Sequence, residues 1–332
     1  MNIPKIGVEE HIESSRYDTF IKKLQPAMAG RDFPNLVDPD REKELGPLSC
    51  KPLEEDRFPM MDRHNTKHIL SMGGGIQMMI EAKDAIVSAQ LANDVIKTYV
   101  DQHPDRFWGF GNLPMQDPAA ACEELDRCKE LGFLGIMLHG STCYHYYDEP
   151  QFEPVWAKLE ALDMPLYLHV GNPEADQIRI YDGYDDLLGN TWNWGVMGGT
   201  HALRIVFGGV FERHPKARLI LGHMGEGIPY WVGRIDEGYE CRKTWKRGRI
   251  SQLPSHYIKR NLYATTSGGF FEEAVVCCLK GFGPDKLLFS TDYPHYPADT
   301  TVERLDSFKD ITDDERKDIY YRNAEKLFGI SF

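Results

Sequence analysis

The chain lacks several features that would assign it quickly to a class. It has no C-x-x-C pair, and its seven cysteines (50, 122, 128, 143, 241, 277 and 278) are spread over 332 residues rather than forming the even framework of a short secreted domain. That spacing excludes a zinc-ribbon or disulfide-scaffold reading and predicts free thiols in a reducing cytoplasm. No stretch approaches the roughly 20 apolar residues of a membrane span, and no basic segment followed by an apolar run opens the chain, so neither membrane insertion nor secretion is expected. Positive charge is also scarce. Lys and Arg total 38 against 51 Asp and Glu, a formal net charge of -13, which argues against nucleic acid or an anionic membrane as partner. No G-x-S-x-G elbow is present and no cysteine has an evident His partner, so nucleophilic catalysis is disfavoured. No glycine-rich phosphate turn follows the first strand, where an open doubly wound sheet would want one; the residues there are Glu9-Glu10-His11-Ile12.

What is present is an alternation of strand-like and helical stretches from end to end. Short apolar runs fall near 4–10, 67–72, 107–112, 133–138, 165–169, 218–222, 261–265 and 286–291. Amphipathic stretches at 84–102, 118–131, 151–163, 198–213, 271–280 and from about 301 separate most of them. Eight strands with intervening helices predict an α/β fold, a closed (β/α)8 TIM barrel, with 1–332 as a single domain. Three segments exceed ordinary connections and are expected to be insertions: about 12–66, with an acidic stretch from Asp38 to Glu44; 171–197, with Trp192 and Trp194; and the basic 238–260.

Polar residues close several of these strands. Glu9 and His11 end the first, His169 ends Pro165-Leu166-Tyr167-Leu168-His169, and His223 ends Leu219-Ile220-Leu221-Gly222-His223. Asp292 follows Leu287-Leu288-Phe289-Ser290-Thr291. Barrel active sites lie at the carboxyl ends of the strands. Three imidazoles and two carboxylates there suit one divalent metal with a proton-transfer group beside it. Strand alternation puts Glu9 and His11 on one face and Glu10 on the other. Glu226, three residues beyond His223, either fixes that imidazole's tautomer or serves as an acid at a helix N-terminus. Asp292 has two possible tasks, metal ligand and general acid/base. Arg234 either pairs with a substrate carboxylate or forms a surface ion pair with Asp236 or Glu237. The run Tyr144-His145-Tyr146-Tyr147 either lines the pocket or packs, and His103 and His214 read as structural residues at helix exits.

These motifs resemble the amidohydrolase superfamily, in its aminocarboxymuconate-semialdehyde-decarboxylase-like branch. The matching segments are Glu9-Glu10-His11, Tyr167-Leu168-His169, Leu221-Gly222-His223-Met224-Gly225-Glu226 and Phe289-Ser290-Thr291-Asp292-Tyr293-Pro294. Leu187-Leu188-Gly189-x-Thr191-Trp192-x-Trp194 and His201-Ala202-Leu203-Arg204 are similar to γ-resorcylate and 2,3-dihydroxybenzoate decarboxylases. The resemblance implies one divalent ion (manganese, zinc or magnesium) on Glu9, His11, His169 and Asp292. It implies a catalytic group of Asp292, His223 and Glu226, and a substrate-facing Arg234 with Trp192, Trp194 and Asn172 nearby. The implied activity is non-oxidative, reversible decarboxylation of a hydroxylated aromatic acid such as a dihydroxybenzoate, releasing CO2, by a homodimer or homotetramer. The alternative is a hydrolase or hydratase of a small carboxylic acid on the same barrel. The chain departs from the superfamily's two-metal hydrolases, with Glu9 in place of the first His of H-x-H and no lysine in Gly135-Ile136-Met137-Leu138-His139. Val170-Gly171-Asn172-Pro173 also stands where the resorcylate enzymes carry Pro-Arg-Asn-Pro.

Overall fold

The computed structural model describes residues 3–29, 53–72, 74–171, 178–241, 248–268 and 271–332. Eight parallel strands follow one another in chain order around the sheet. They are β1 (Lys5–Ile12), β2 (Thr66–Met72), β3 (Phe107–Gly111), β4 (Gly135–His139), β5 (Leu166–His169), β6 (Leu219–Leu221), β7 (Leu262–Thr265) and β8 (Leu287–Leu288). Hydrogen bonds from Val8 N to Phe289 O at 3.0 Å and from His11 N to Tyr293 O at 2.7 Å join the last strand to the first and close the ring. This is the (β/α)8 barrel that the alternation of apolar runs predicts, and each strand lies within two or three residues of its expected place.

The barrel has two apolar layers. Ile6, Val8, Ile69, Phe110, Met137, Tyr167, Ile220 and Leu288 fill its interior, and Ala324 and Leu327 near the C-terminus join them. Trp108, Leu134 and Tyr263, at or just before the starts of their strands, pack on the same cluster with Ile330 and Phe332. The C-terminal segment therefore plugs the amino end of the barrel and leaves the carboxyl end open for chemistry. Leu70, Leu138, Leu168 and Leu221, one residue out of phase, face the surrounding helices instead. The helix Pro118–Glu130 shows how local sequence sets an element: Asp117 Oδ1 accepts from the amides of Ala119 and Ala120, with Pro118 in the first turn.

One irregularity in β1 decides the orientation of the site. Gly7 pairs with His68 but Glu10 pairs with Leu70, so β1 carries one residue more than β2 between those points. A bulge of this kind inverts the in–out alternation beyond it. Ile6 and Val8 face the interior below the bulge; above it Glu9 and His11 do, while Ile12 turns to the outer layer. The expected long segments contain structure of their own: helices Ser15–Leu24 and Arg57–His64 in the first, three short turns in the second, and the helix Pro254–Asn261 in the third. The acidic stretch Asp38–Glu44 and the basic residues 242–247 lie outside the described residues.

Candidate active site

The inward alternation carries polar residues to one level at the carboxyl end of the barrel. In β5 it runs Tyr167 then His169, in β4 Met137 then His139, in β2 Ile69 then Ser71. Glu9, His11, His169 and Asp292 each offer one ligand atom, and these atoms lie within 4.8 Å of one another. Glu9 Oε1 is 3.2 Å from His169 Nε2, 3.8 Å from His223 Nε2 and 3.9 Å from His11 Nε2, without hydrogen-bond geometry to any of them. His11 Nε2 is 3.2 Å from Asp292 Oδ1.

The outer sides of these groups are occupied. Glu9 Oε2 accepts from Tyr167, Ser267 and Thr265 hydroxyls, the last at 3.1 Å. His11 Nδ1 is 2.9 Å from Ser71 Oγ, and His169 Nδ1 donates to Val170 O at 2.9 Å. Second partners of this kind orient each ligand so that its free atom faces inward. Three of those inward atoms, Glu9 Oε1, His11 Nε2 and Asp292 Oδ1, are buried with no hydrogen-bond partner. Buried polar atoms are rarely left so. Two nitrogens and two carboxylate oxygens converging on one point fit a single divalent ion.

His223 and Glu226 form a separate pair beside this cluster, with Nδ1 to Oε1 at 2.7 Å. Burial opposes a charge on His223, but Glu226 and Glu9 outweigh it and push its pKa up to about 10. Burial likewise opposes ionisation of Glu9, yet the imidazoles of His223, His169 and His11 hold its carboxyl well below the ordinary range. The pair sits on unusual backbone: His223, Met224, Gly225 and Glu226 have φ of 48°, 58°, 72° and 52°. This left-handed turn brings the Glu226 carboxylate to the imidazole, two residues before the helix Ile228–Cys241 begins. Space is made by glycines. A Cβ on Gly199, in the helix Asn193–Phe207, would stand 2.8 Å from Glu226 O, and one on Gly222 would stand 3.1 Å from Tyr167 Oη.

A cleft of about 1550 Å³ opens onto the pair. Trp192, Trp194, Arg234, Tyr230, Trp231 and Tyr296 contribute to its walls together with His223 and Glu226. The four clustered ligand residues are not among its walls, but Glu9 Oε1 lies 3.8 Å from Nε2 of His223, which is. Arg234 is exposed and makes no ion pair among the described residues, while Asp236, one of its expected surface partners, accepts from Ser255 N at 2.9 Å. Asn172 lies outside the described residues.

Two histidines emerge that motif reading passed over. His139 ends β4 with its ring 4.6 Å from that of His169, and His295 lies 5.3 Å from His11, centroid to centroid. The parity of β4 carried the signal for His139, since it follows inward Met137 by two. His295 sits beyond a strand end and carried none. Tyr146 and Tyr147 pack on His201, and His103 and His214 are held by Phe58 and Phe107 and by Glu153, respectively, as structural groups.

Residues 52–330 match the amidohydrolase family model. The chain is 38% identical over 336 residues to γ-resorcylate decarboxylase from Polaromonas sp. (strain JS666), covering 98% of this chain and 99% of that one. Its fold superposes on a 2,6-dihydroxybenzoate decarboxylase solved with 2,6-dihydroxybenzoate, with TM-score 0.89, 35% identity, and 99% and 100% of the two chains covered. A dihydroxybenzoic acid decarboxylase from Polaromonas sp. JS666, solved with manganese and the inhibitor 2-nitroresorcinol, gives TM-score 0.88 and 36% identity over 98% and 97% of the chains. The chain belongs to the amidohydrolase family, and within it the similarity is to decarboxylases of dihydroxybenzoates.

Proposed function

We propose that the protein is a divalent-metal-dependent, non-oxidative decarboxylase of a hydroxylated aromatic acid. The observation that carries this reading is the convergence of Glu9, His11, His169 and Asp292 around orphaned inward atoms, with the His223–Glu226 pair beside them, in a chain similar throughout to dihydroxybenzoate decarboxylases. When bound there, a divalent ion (manganese first, zinc or magnesium also suited) supplies Lewis-acid stabilisation for an ortho-phenolate and the substrate carboxylate.

The chain's own residues would then manage one proton. Loss of CO2 directly from an aromatic ring leaves an electron pair on carbon, so that carbon must be protonated first. Asp292, its Oδ1 3.2 Å from His11 Nε2, delivers a proton to the carbon bearing the carboxylate. The ring loses aromaticity. The C–C bond then breaks, its electron pair returns to the ring, and CO2 departs. One proton is consumed per turnover, and solvent resupplies it. His223, kept protonated by Glu226, donates from Nε2 to a ring hydroxyl or carboxylate oxygen and opposes the charge that develops. Trp192 and Trp194 offer apolar walls to a flat ring, and Arg234 offers a counter-charge to a carboxylate.

We further propose that the chain acts as a single catalytic domain in the cytoplasm and as a homodimer or homotetramer. Exposed Tyr230, Trp231 and Trp192 around the cleft support association, and the cysteines, which form no disulfide among the described residues, suit a reducing compartment. No helix among the described residues is long and apolar enough to cross a membrane. The test is product analysis: incubation of the manganese-loaded protein with ortho-hydroxybenzoic acids should yield the matching phenol and CO2 in equal amounts. A hydrated or hydrolysed product without CO2 would instead assign the site to water activation.

A further inference from the structure

Glu10 stands between Glu9 and His11 in sequence, yet its side chain goes the other way. The bulge in β1 turns it out of the barrel interior and buries it completely against the segment that follows β8. There four donors converge on one carboxylate. Oε1 accepts from Thr291 N at 2.8 Å and from Ser290 Oγ at 3.3 Å. Oε2 accepts from Thr291 Oγ1 at 2.6 Å and from Tyr293 N at 3.1 Å. Two of these donors are the backbone amides immediately before and after Asp292.

Asp292 needs that support. Its φ is 60°, in the left-handed region that side-chain-bearing residues rarely adopt, and its own amide reaches Glu9 O at 3.2 Å. Arg57, itself buried, completes the arrangement: it donates to His11 O and stacks over the Tyr293 ring, 4.5 Å from guanidinium to centroid. The same short stretch of β1 thus presents two residues to the cluster and, on its reverse face, grips the backbone that carries a third.

We infer that Glu10 is a positioning residue that fixes Asp292 by clamping the two amides on either side of it, so that the ligand cluster is assembled before any ion or substrate arrives. This rests on the roles proposed above for Asp292. Loss of the clamp therefore acts on the ion and on proton delivery, and leaves recognition of the substrate largely alone.

The discriminating variant is Glu10→Gln. It keeps the volume, but whichever end carries the amide NH2 then faces two donors. Mn2+ titrated into metal-free protein should bind about 10- to 100-fold more weakly than to wild type, the range typical of lost outer partners. On hydroxybenzoate substrate, kcat should fall while KM changes less than threefold. Thr291→Val removes one hydroxyl donor and keeps both amides, so it should weaken Mn2+ binding in the same direction by a smaller factor; it also serves if Glu10→Gln does not fold. A Glu10→Gln protein with a lowered melting temperature but wild-type Mn2+ affinity and kcat would overturn the inference, as would unchanged Mn2+ affinity in Thr291→Val where Glu10→Gln cannot be made. Asp292→Asn, run in parallel, separates the two claims: if it binds Mn2+ like wild type, the reading of Asp292 as a ligand falls, whereas a neutral Glu10→Gln alone removes only the clamp.

Discussion

At the scale of single residues, Asp292 and His223 have different tasks in the proposed proton inventory. General acid catalysis by a positioned side chain contributes about 100- to 10,000-fold. Asp292→Asn and His223→Asn should each lose turnover in that range while their metal-free melting temperatures stay near wild type, because neither side chain belongs to the apolar layers of the barrel. Steady-state kinetics beside thermal unfolding checks this; near-normal rates in both variants would contradict it. Tyr167 holds Glu9 from below, and burial next to that carboxylate keeps its hydroxyl protonated as a donor. Tyr167→Phe should weaken metal binding without removing any ligand. Glu9, His11, His169, His223 and Asp292 were legible in the sequence because each closes an apolar run. His139 was legible only by counting alternate residues along β4. The outward fate of Glu10 depends on the bulge in β1, and the four donors waiting for it belong to residues some 280 positions away.

At the scale of elements, the helix Asn193–Phe207 matters most. Its Gly198–Gly199 pair lets its backbone lie against Glu226. Gly199→Ala would place a methyl 2.8 Å from Glu226 O, and overpacking of this kind costs about 1–3 kcal/mol. Lower stability together with a disturbed His223 is expected, read as a changed pH profile of kcat. Two residues further along, His201 accepts from Tyr147 N at 2.9 Å, and burial, reinforced by Arg204, lowers its pKa to about 3. The unfolded chain, near 6.5, takes up this proton first. His201 therefore contributes stability that is complete above about pH 6.5 and lost progressively as pH falls toward 3. Between pH 6.5 and 5 the loss amounts to about 2 kcal/mol at 1.36 kcal/mol per unit. Denaturant titrations should show wild type losing stability over that interval and His201→Gln losing correspondingly less. The strands and most helices were legible from periodicity. The left-handed turn at 223–226 and the bulge in β1 were not, since both depend on a partner segment that local sequence does not specify.

At the scale of the whole molecule, the barrel joins residues from β1, β5 and the segment after β8 in one candidate ion site, so an ion held there should tie together distant parts of the chain. Binding to the folded state alone stabilises it by about 2.7 kcal/mol at a concentration 100 times Kd. Mn2+ should raise the unfolding midpoint of metal-free wild type, and the rise should shrink in Asp292→Asn; equal shifts in both proteins would count against a shared site. Chain order around the barrel was legible because eight apolar runs alternate with helical stretches, and closure followed from the count. The plug formed by Ala324, Leu327 and Phe332 was not, because a short C-terminal helix carries no sign of which end of a barrel it will cover. The most direct measurement is CO2 release from 2,6-dihydroxybenzoate and related ortho-hydroxy acids by manganese-reconstituted protein, with an EDTA-treated control. Phenol and CO2 should appear in a one-to-one ratio, abolished by EDTA and restored by Mn2+; no CO2 from any such acid with the ion bound, or CO2 release that EDTA leaves untouched, would rule out a metal-dependent decarboxylase.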